Sequence, residues 1–226
     1  MYILFLRKIL SNLEDEMVWF NPVLFIGLSN ASFALSQIET KVDDKKKLLE
    51  ETLTYNQKEL DALQQTSPLD YYVFSNSNNS HAQILVELAK MEKGQKKIVL
   101  FEKAVSSMEK CVKLIEKDKN EYLFGLRSLS YGLNYYGFGR ILEQLNLLTK
   151  DKVLLEKAIE NYKVAIKHFS KIELATRVAE SYWQIARLKN HLGNNLESAQ
   201  NYQTASQKYV LAGEKTPKPK ESTILL

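Results

Sequence analysis

The chain has 226 residues, of which 45% are hydrophobic and 26% charged, with only 8 Gly and 4 Pro. That balance excludes a disordered chain, and the shortage of turn formers weighs against many short strands and for long helices. The net charge of +4 is uneven: residues 1–80 hold 7 Lys+Arg against 11 Asp+Glu, so the basic surplus falls on residues 81–226.

In chain order, residues 1–16 are an apolar segment of unclear role. Asn12, Glu14, Asp15 and Glu16 stand where a signal-peptide cleavage site would need small residues. Residues 17–38 carry no charge, which suits a membrane span. Against a span stand Asn21, Pro22, Ser29, Asn30, Ser32, Ser36 and Gln37. The preferred reading is a buried helix with Asn21 as N-cap and Pro22 at its first position. Thr66, Ser67 and Pro68 are expected to end a first hairpin over about 22–65. Residues 75–80, all Ser and Asn, read as a polar connector to a second hairpin over about 81–117. Residues 118–120 separate it from a third over about 121–171, and a fourth fills about 174–212. Gly213 closes the last helix, and residues 213–226, rich in Pro and Lys, are expected to be a disordered tail.

Self-similarity sets the fold class. Residues 154–158 match residues 100–104 and, more loosely, 48–52, at a nearly constant interval and each after a Lys-rich turn. Phe101, Ala104, Val105, Met108, Cys111, Val112 and Ile115 form an inward stripe. Leu155, Ala158, Ile159, Tyr162, Ala165, Ile166 and Phe169 repeat it slot for slot. Asn195, Ser198, Ala199, Tyr202, Ala205, Ser206 and Tyr209 repeat it with more polar residues. Leu49, Thr52, Leu53, Asn56, Glu59, Leu60 and Leu63 give the weakest copy. Small residues recur at fixed slots because two helices approach closely only where side chains are short.

Residues 179–209 resemble one tetratricopeptide repeat. Tyr182, Ile185, Ala186 and Lys189 fall on its first-helix signature, Gly193 on its turn, and Ser198, Tyr202 and Ala205 on its second helix. Tyr135, Phe138, Gly139 and Leu142 repeat the first-helix pattern one hairpin earlier, then Leu85, Leu88 and Ala89, and faintly Asn30, Phe33 and Ala34. The resemblance implies an all-α fold within residues 17–212. Its architecture would be a right-handed stack of antiparallel helical hairpins, a tetratricopeptide-like α-solenoid of about four hairpins. Ala186 to Ser198 has the family's length. Ala89 to Ala104, Gly139 to Ala158 and Ala34 to Thr52 are longer, which implies extended helices or enlarged inner turns.

Chemistry-bearing motifs are scarce. Gly125, Gly132, Gly137 and Gly139 lack the strand and Lys-Ser/Thr of a phosphate loop and suit close helix packing. His81, His168 and His191 lie on separate segments without an i, i+4 partner, so no metal is expected. His168 falls near a helix C-terminus, where an exposed end is expected. Cys111, the only cysteine, excludes a disulfide framework, fits a cytoplasmic setting, and holds a slot that Ala165 and Ala205 hold elsewhere, as a packing residue. The carboxylates sit beside Lys on outward faces. No enzyme and no cofactor are expected.

The resemblance also implies that first helices line a ligand groove. Its two ligand-facing slots hold Val86, Tyr136 and Trp183, and Lys90, Arg140 and Arg187. That ladder suits a protein or peptide partner that is acidic or amphipathic, or a C-terminal carboxylate. The competing reading packs Tyr136 and Trp183 between hairpins and leaves the cations as plain surface. Val86 and Tyr136 stand where a chaperone-tail clamp would need Lys, so a chaperone cofactor role is not implied. The first functional reading is therefore a non-catalytic interaction scaffold. A second is an oligomerising or sensor segment of a larger assembly, forming a homo-oligomer through residues 1–38. Nucleic-acid binding through the basic C-terminal hairpins ranks third, and a membrane is disfavoured.

Overall fold

A sequence poor in Gly and Pro has few places to break a helix, and long helices follow. The computed structural model describes residues 21–66, 69–120 and 124–213, and among them eight helices and no strands. They are α1 (Asn21–Ile38), α2 (Val42–Gln64), α3 (Tyr71–Met91), α4 (Gly94–Lys117), α5 (Phe124–Thr149), α6 (Lys152–Lys171), α7 (Ala175–His191) and α8 (Asn195–Leu211). The fold is all-α, and within each compact unit helices that follow one another in the chain pack together.

Local chemistry sets the boundaries. Asp70 starts α3 by accepting hydrogen bonds from the amides of Tyr72 (2.9 Å) and Val73 (3.1 Å), and Asp151 starts α6 by accepting from Val153 (2.9 Å). Between α7 and α8, Gly193 takes φ +83°, and the Asn194 amide donates back to the Lys189 carbonyl at 2.9 Å. Glu173 makes the same reversal after α6 with φ +55°, a conformation that costs a non-Gly residue about 1–2 kcal/mol. The inner connectors are short, Glu92 with Lys93 and Lys150 with Asp151. The long repeats therefore come from longer helices: α3 to α6 have 21, 24, 26 and 20 residues, against 17 each for α7 and α8.

Among the described residues two compact units are present, 21–120 with 144–150 and 124–143 with 151–213. In the first, α1 pairs with α2, α3 with α4, and α2 also lies against α3. Its core holds Leu49, Ile84 and Leu88 with Phe33, Leu53, Met91 and Leu100 around them, and fully buried Phe101, Ala104 and Met108. In the second, α6 packs on α7 and α7 on α8. There α5 meets α6 through two glycines: a Cβ on Gly139 would stand 2.8 Å from the Tyr162 ring, and one on Gly132 2.5 Å from the Phe169 ring. Gly125 and Gly137 face open space, so close packing explains two of the four glycines in this stretch.

The expected connector at 75–80 is helix instead, and the second hairpin runs from Tyr71 to Lys117. Ser75, Ser77 and Asn78 are buried in it. Their polar atoms are satisfied within the helix, Ser75 Oγ donating to the Tyr72 carbonyl (2.9 Å) and Asn78 Nδ2 to the Phe74 carbonyl (2.8 Å). Ser and Asn signal turns when exposed; here their small size matters more.

Cys111 is fully buried, and burial pushes its thiol up to about 12, as an inert packing residue should be. No helix among the described residues is long and apolar enough to cross a membrane. The apolar segment 1–16, most of the expected self-association stretch and the tail after Gly213 lie outside the described residues.

Candidate binding surfaces

Four of the six residues expected to line a groove belong to the second unit, where α5 carries Tyr136 and Arg140 and α7 carries Trp183 and Arg187. Gln184 Nε2 donates to Tyr136 Oη at 3.3 Å, which ties the two helices together. The Tyr136 ring meets Tyr162 edge-on at 5.2 Å, and burial raises its phenol above the usual range. Tyr162 Oη in turn donates to Glu143 Oε1 at 2.5 Å, and Glu143 Oε2 pairs with Arg187 Nη2. Arg187 also donates to Gln184 Oε1 at 2.9 Å and sits 5.9 Å from the Trp183 ring centre. Trp183 and Tyr136 are half-buried, while Arg140 is exposed and makes no ion pair among the described residues.

The cations thus do not act as a ladder of like charges. Arg187 is matched by Glu143, a carboxylate the sequence reading passed over because it lies off the signature slots. Val86 and Lys90 sit in the first unit on α3, Val86 half-buried and Lys90 exposed and paired with Glu87. Lys189 pairs with Glu197 at 2.6 Å, and Ser198 donates to the Ala186 carbonyl at 2.8 Å. Both contacts tie α7 to α8.

A second site lies in the first unit and was not expected. Glu59 occupies the slot that Cys111, Ala165 and Ala205 fill elsewhere, and it is buried. Its inward position follows the repeat stripe, and the expectation that carboxylates sit on outward faces fails for it. Glu59 Oε1 is hydrogen-bonded to Ser77 Oγ, and Glu59 Oε2 accepts from Asn56 Nδ2 at 3.2 Å. Burial outweighs these bonds and raises its carboxyl above the usual range. Asn56 Nδ2 also reaches the Ser77 carbonyl at 3.3 Å, and Asn56 Oδ1 meets His81 Nδ1 at 2.7 Å. With both amide hydrogens turned away, Oδ1 is the acceptor and the imidazole proton sits on Nδ1. Burial, then Lys110 and Lys103, depress His81 to about 4, so the ring is neutral at physiological pH.

His81 lines an open cleft of about 370 Å³. Its floor is α3 (Phe74, Asn78, His81), one wall is α2 (Leu60, Asp61) and the other is α4 (Lys110, Lys113, Leu114, Lys117). The sequence signal was present: Asn56 and Glu59 are polar residues on an apolar stripe, and Ser77 and His81 lie one turn apart on the next helix. Among the described residues no group of three or more His, Cys, Asp or Glu could hold a metal.

His168 departs from its expected exposed end. It is half-buried between Tyr135, stacked at 5.7 Å, and Tyr131, edge-on at 5.8 Å, and its Nδ1 is buried with no hydrogen-bond partner among the described residues. Burial, then Lys171, lowers it to about 4.

No protein-family model matches the chain, and no curated protein matches it either. Several solved structures do. The DHF58 filament aligns with a TM-score of 0.50 at 16% identity, covering 88% of this chain and 96% of that one. MamA aligns at 0.45 with 14% identity over 89% and 99% of the two chains, and BtubC from P. vanneervenii at 0.42 with 12% over 100% and 93%. At these identities the likeness is one of fold alone.

Proposed function

We propose that this chain is a non-catalytic interaction scaffold of tetratricopeptide type, holding an acidic or amphipathic peptide segment against α5 and α7 of the second unit. The observation that carries the reading is the placement of two half-buried aromatics, Tyr136 and Trp183, with Arg140 on the same pair of helices. Half-exposed Tyr and Trp supply contact area at little cost in entropy, and enrichment of Tyr, Trp and Arg marks protein interfaces. Arg187 is held by Glu143 and Gln184, so it is preorganised, and Arg140 is the cation left over for an incoming carboxylate. Catalysis and cofactors have no place in this reading.

The test is a binding titration with fluorescently labelled acidic peptides and their Lys-swapped counterparts. Arg140→Glu and Trp183→Ala are each expected to weaken the acidic peptides about tenfold, a change of about 1.4 kcal/mol. Equal affinity for acidic and basic peptides, or unchanged affinity in both variants, would remove this face from consideration.

A further inference from the structure

The cleft of the first unit carries chemistry that peptide docking on the second unit does not use. Its α4 wall is cationic, and among the described lining residues Asp61 is the one acid, with one carboxylate oxygen already accepting from Gln57 Nε2 at 2.8 Å. Beside the lysines stands a hydrogen-bond acceptor. His81 donates a hydrogen bond from Nδ1 to Asn56 Oδ1, and its Nε2 makes no hydrogen bond among the described residues. Asn56 is fixed in turn by Glu59 and Ser77, a buried network with no evident packing advantage over the Ala or Cys of sister repeats. A polar network at a helix–helix contact is costly to bury, and what this one achieves is to lock the His81 tautomer.

Cations beside a neutral acceptor select a particular ligand. A bare carboxylate or halide would suit the lysines but would set its lone pairs against those of Nε2. A molecule with both an anionic group and an O–H or N–H donor satisfies both. Leu60, Phe74 and Leu114 add an apolar lining, and about 370 Å³ lies within the usual range for small-molecule sites of roughly 300–1,000 Å³.

We propose that the cleft between α2, α3 and α4 binds a small organic acid that has an apolar body and one hydrogen-bond donor. The acid group meets Lys110, Lys113 and Lys117, the donor meets His81 Nε2, and the body lies on Leu60, Phe74 and Leu114. A free hydroxy acid and the acidic end of a peptide both present this chemistry. The site is separate from Arg140 and Trp183, so it stands or falls apart from the scaffold reading.

The experiment is an NMR titration of the full chain, carrying ring-labelled histidine, with four probes. These are 4-hydroxyphenylacetate, its 4-methoxy analogue without the donor, its amide without the charge, and N-acetyl-phenylalanyl-glutamate. The hydroxy acid or the dipeptide is expected to shift the His81 ring nitrogens saturably, with Nε2 moving as an acceptor that gains a bond. The methoxy analogue is expected to bind about tenfold more weakly than the hydroxy acid, and the amide likewise. Lys113→Glu/Lys117→Glu, both exposed, should weaken the acids about tenfold, with only a small fall in melting temperature from setting Glu at the C-terminal end of α4. Tighter binding of the dipeptide would support a peptide source, and tighter binding of the hydroxy acid a free ligand. Absence of a saturable His81 shift with either acid, or affinity unchanged by removing the charge or reversing the two lysines, would overturn the proposal.

Discussion

The matching inward slots of α2 and α6 meet a neighbouring helix in two ways, α2 against the first helix of the next hairpin and α6 against the first helix of its own. In the second unit the inward slots of α6 hold Tyr162, Ala165 and Phe169, and α5 makes room for the two rings with Gly139 and Gly132. In the first unit the same slots of α2 hold Asn56, Glu59 and Leu63, and α3 answers with Ser75, Ser77 and Asn78. One contact is a pair of rings pressed on bare backbone, and the other is a chain of hydrogen bonds that ends at a cleft. The apolar version gives stability without orientation. The polar version gives up burial energy and gains a fixed imidazole.

The largest expected effect breaks the apolar version. Phe169→Ala should cost about 3–5 kcal/mol by leaving a cavity under α5. Gly132→Ala would ordinarily gain almost 1 kcal/mol of helix propensity, but its methyl meets the fully buried Phe169 ring, and overpacking of about 1–3 kcal/mol should make it destabilising. Combining Gly132→Ala with Phe169→Leu should restore part of the loss, and strict additivity in urea melts would show that ring and glycine are not coupled.

The polar version is sharpened next. The Ser77 hydroxyl has one hydrogen and two oxygens within reach, Glu59 Oε1 and the Val73 carbonyl at 3.0 Å. Both contacts are satisfied if Glu59 carries a proton, which agrees with the upward shift that burial imposes. A carboxyl raised on folding contributes stability that is fully present below its unfolded value and lost as pH rises through its folded value. Glu59→Gln mimics the protonated acid and should gain on wild type as pH rises from 4 to 8. Glu59→Ala, which leaves Asn56 and Ser77 short of a partner, should cost about 1–3 kcal/mol. A constant difference between wild type and Glu59→Gln across that range would mean the carboxyl titrates normally.

Histidines carry the opposite sign. His81 and His168 are both lowered to about 4, so each contributes stability that is complete above the ordinary value of 6.5 and lost as pH falls toward 4. His168→Phe keeps the ring between Tyr131 and Tyr135 and removes the buried, unpaired Nδ1. Its melting temperature should exceed that of wild type more at pH 5 than at pH 7, and an equal gain at both would assign the effect to packing alone.

The contrast between the two units also explains what could be read from the sequence. Slots filled by Phe101, Ala158 or Tyr162 announce themselves by repetition, so the hairpins and their inward faces were visible. Residues 75–80 were misplaced because Ser and Asn propensities describe an exposed backbone, and α2 supplies a buried one. Tyr136 and Trp183 were placed by resemblance, which gives positions and not partners; Glu143, which cancels Arg187, lies off the signature. The cleft was hidden for a related reason. Asn56 and Glu59 looked like decay of a repeat, and only the neighbouring helix, with Ser77 and His81, turns them into a network.

The smallest effect probes the polar ties of the last hairpin. Ser198 donates to the Ala186 carbonyl at 2.8 Å, an oxygen that α7 already uses in its own helical ladder. Losing that bond costs about 0.5–1.5 kcal/mol, while Ala gains a few tenths in propensity and leaves no buried donor behind. Ser198→Ala should therefore change stability by less than about 1 kcal/mol. Glu197→Ala, which breaks a half-exposed pair with Lys189, should cost about 0.2–1 kcal/mol and less at high salt. A loss several times larger from either would mean that α7 and α8 depend on these polar ties as the first unit depends on Glu59, and the division between an apolar and a polar unit would no longer hold.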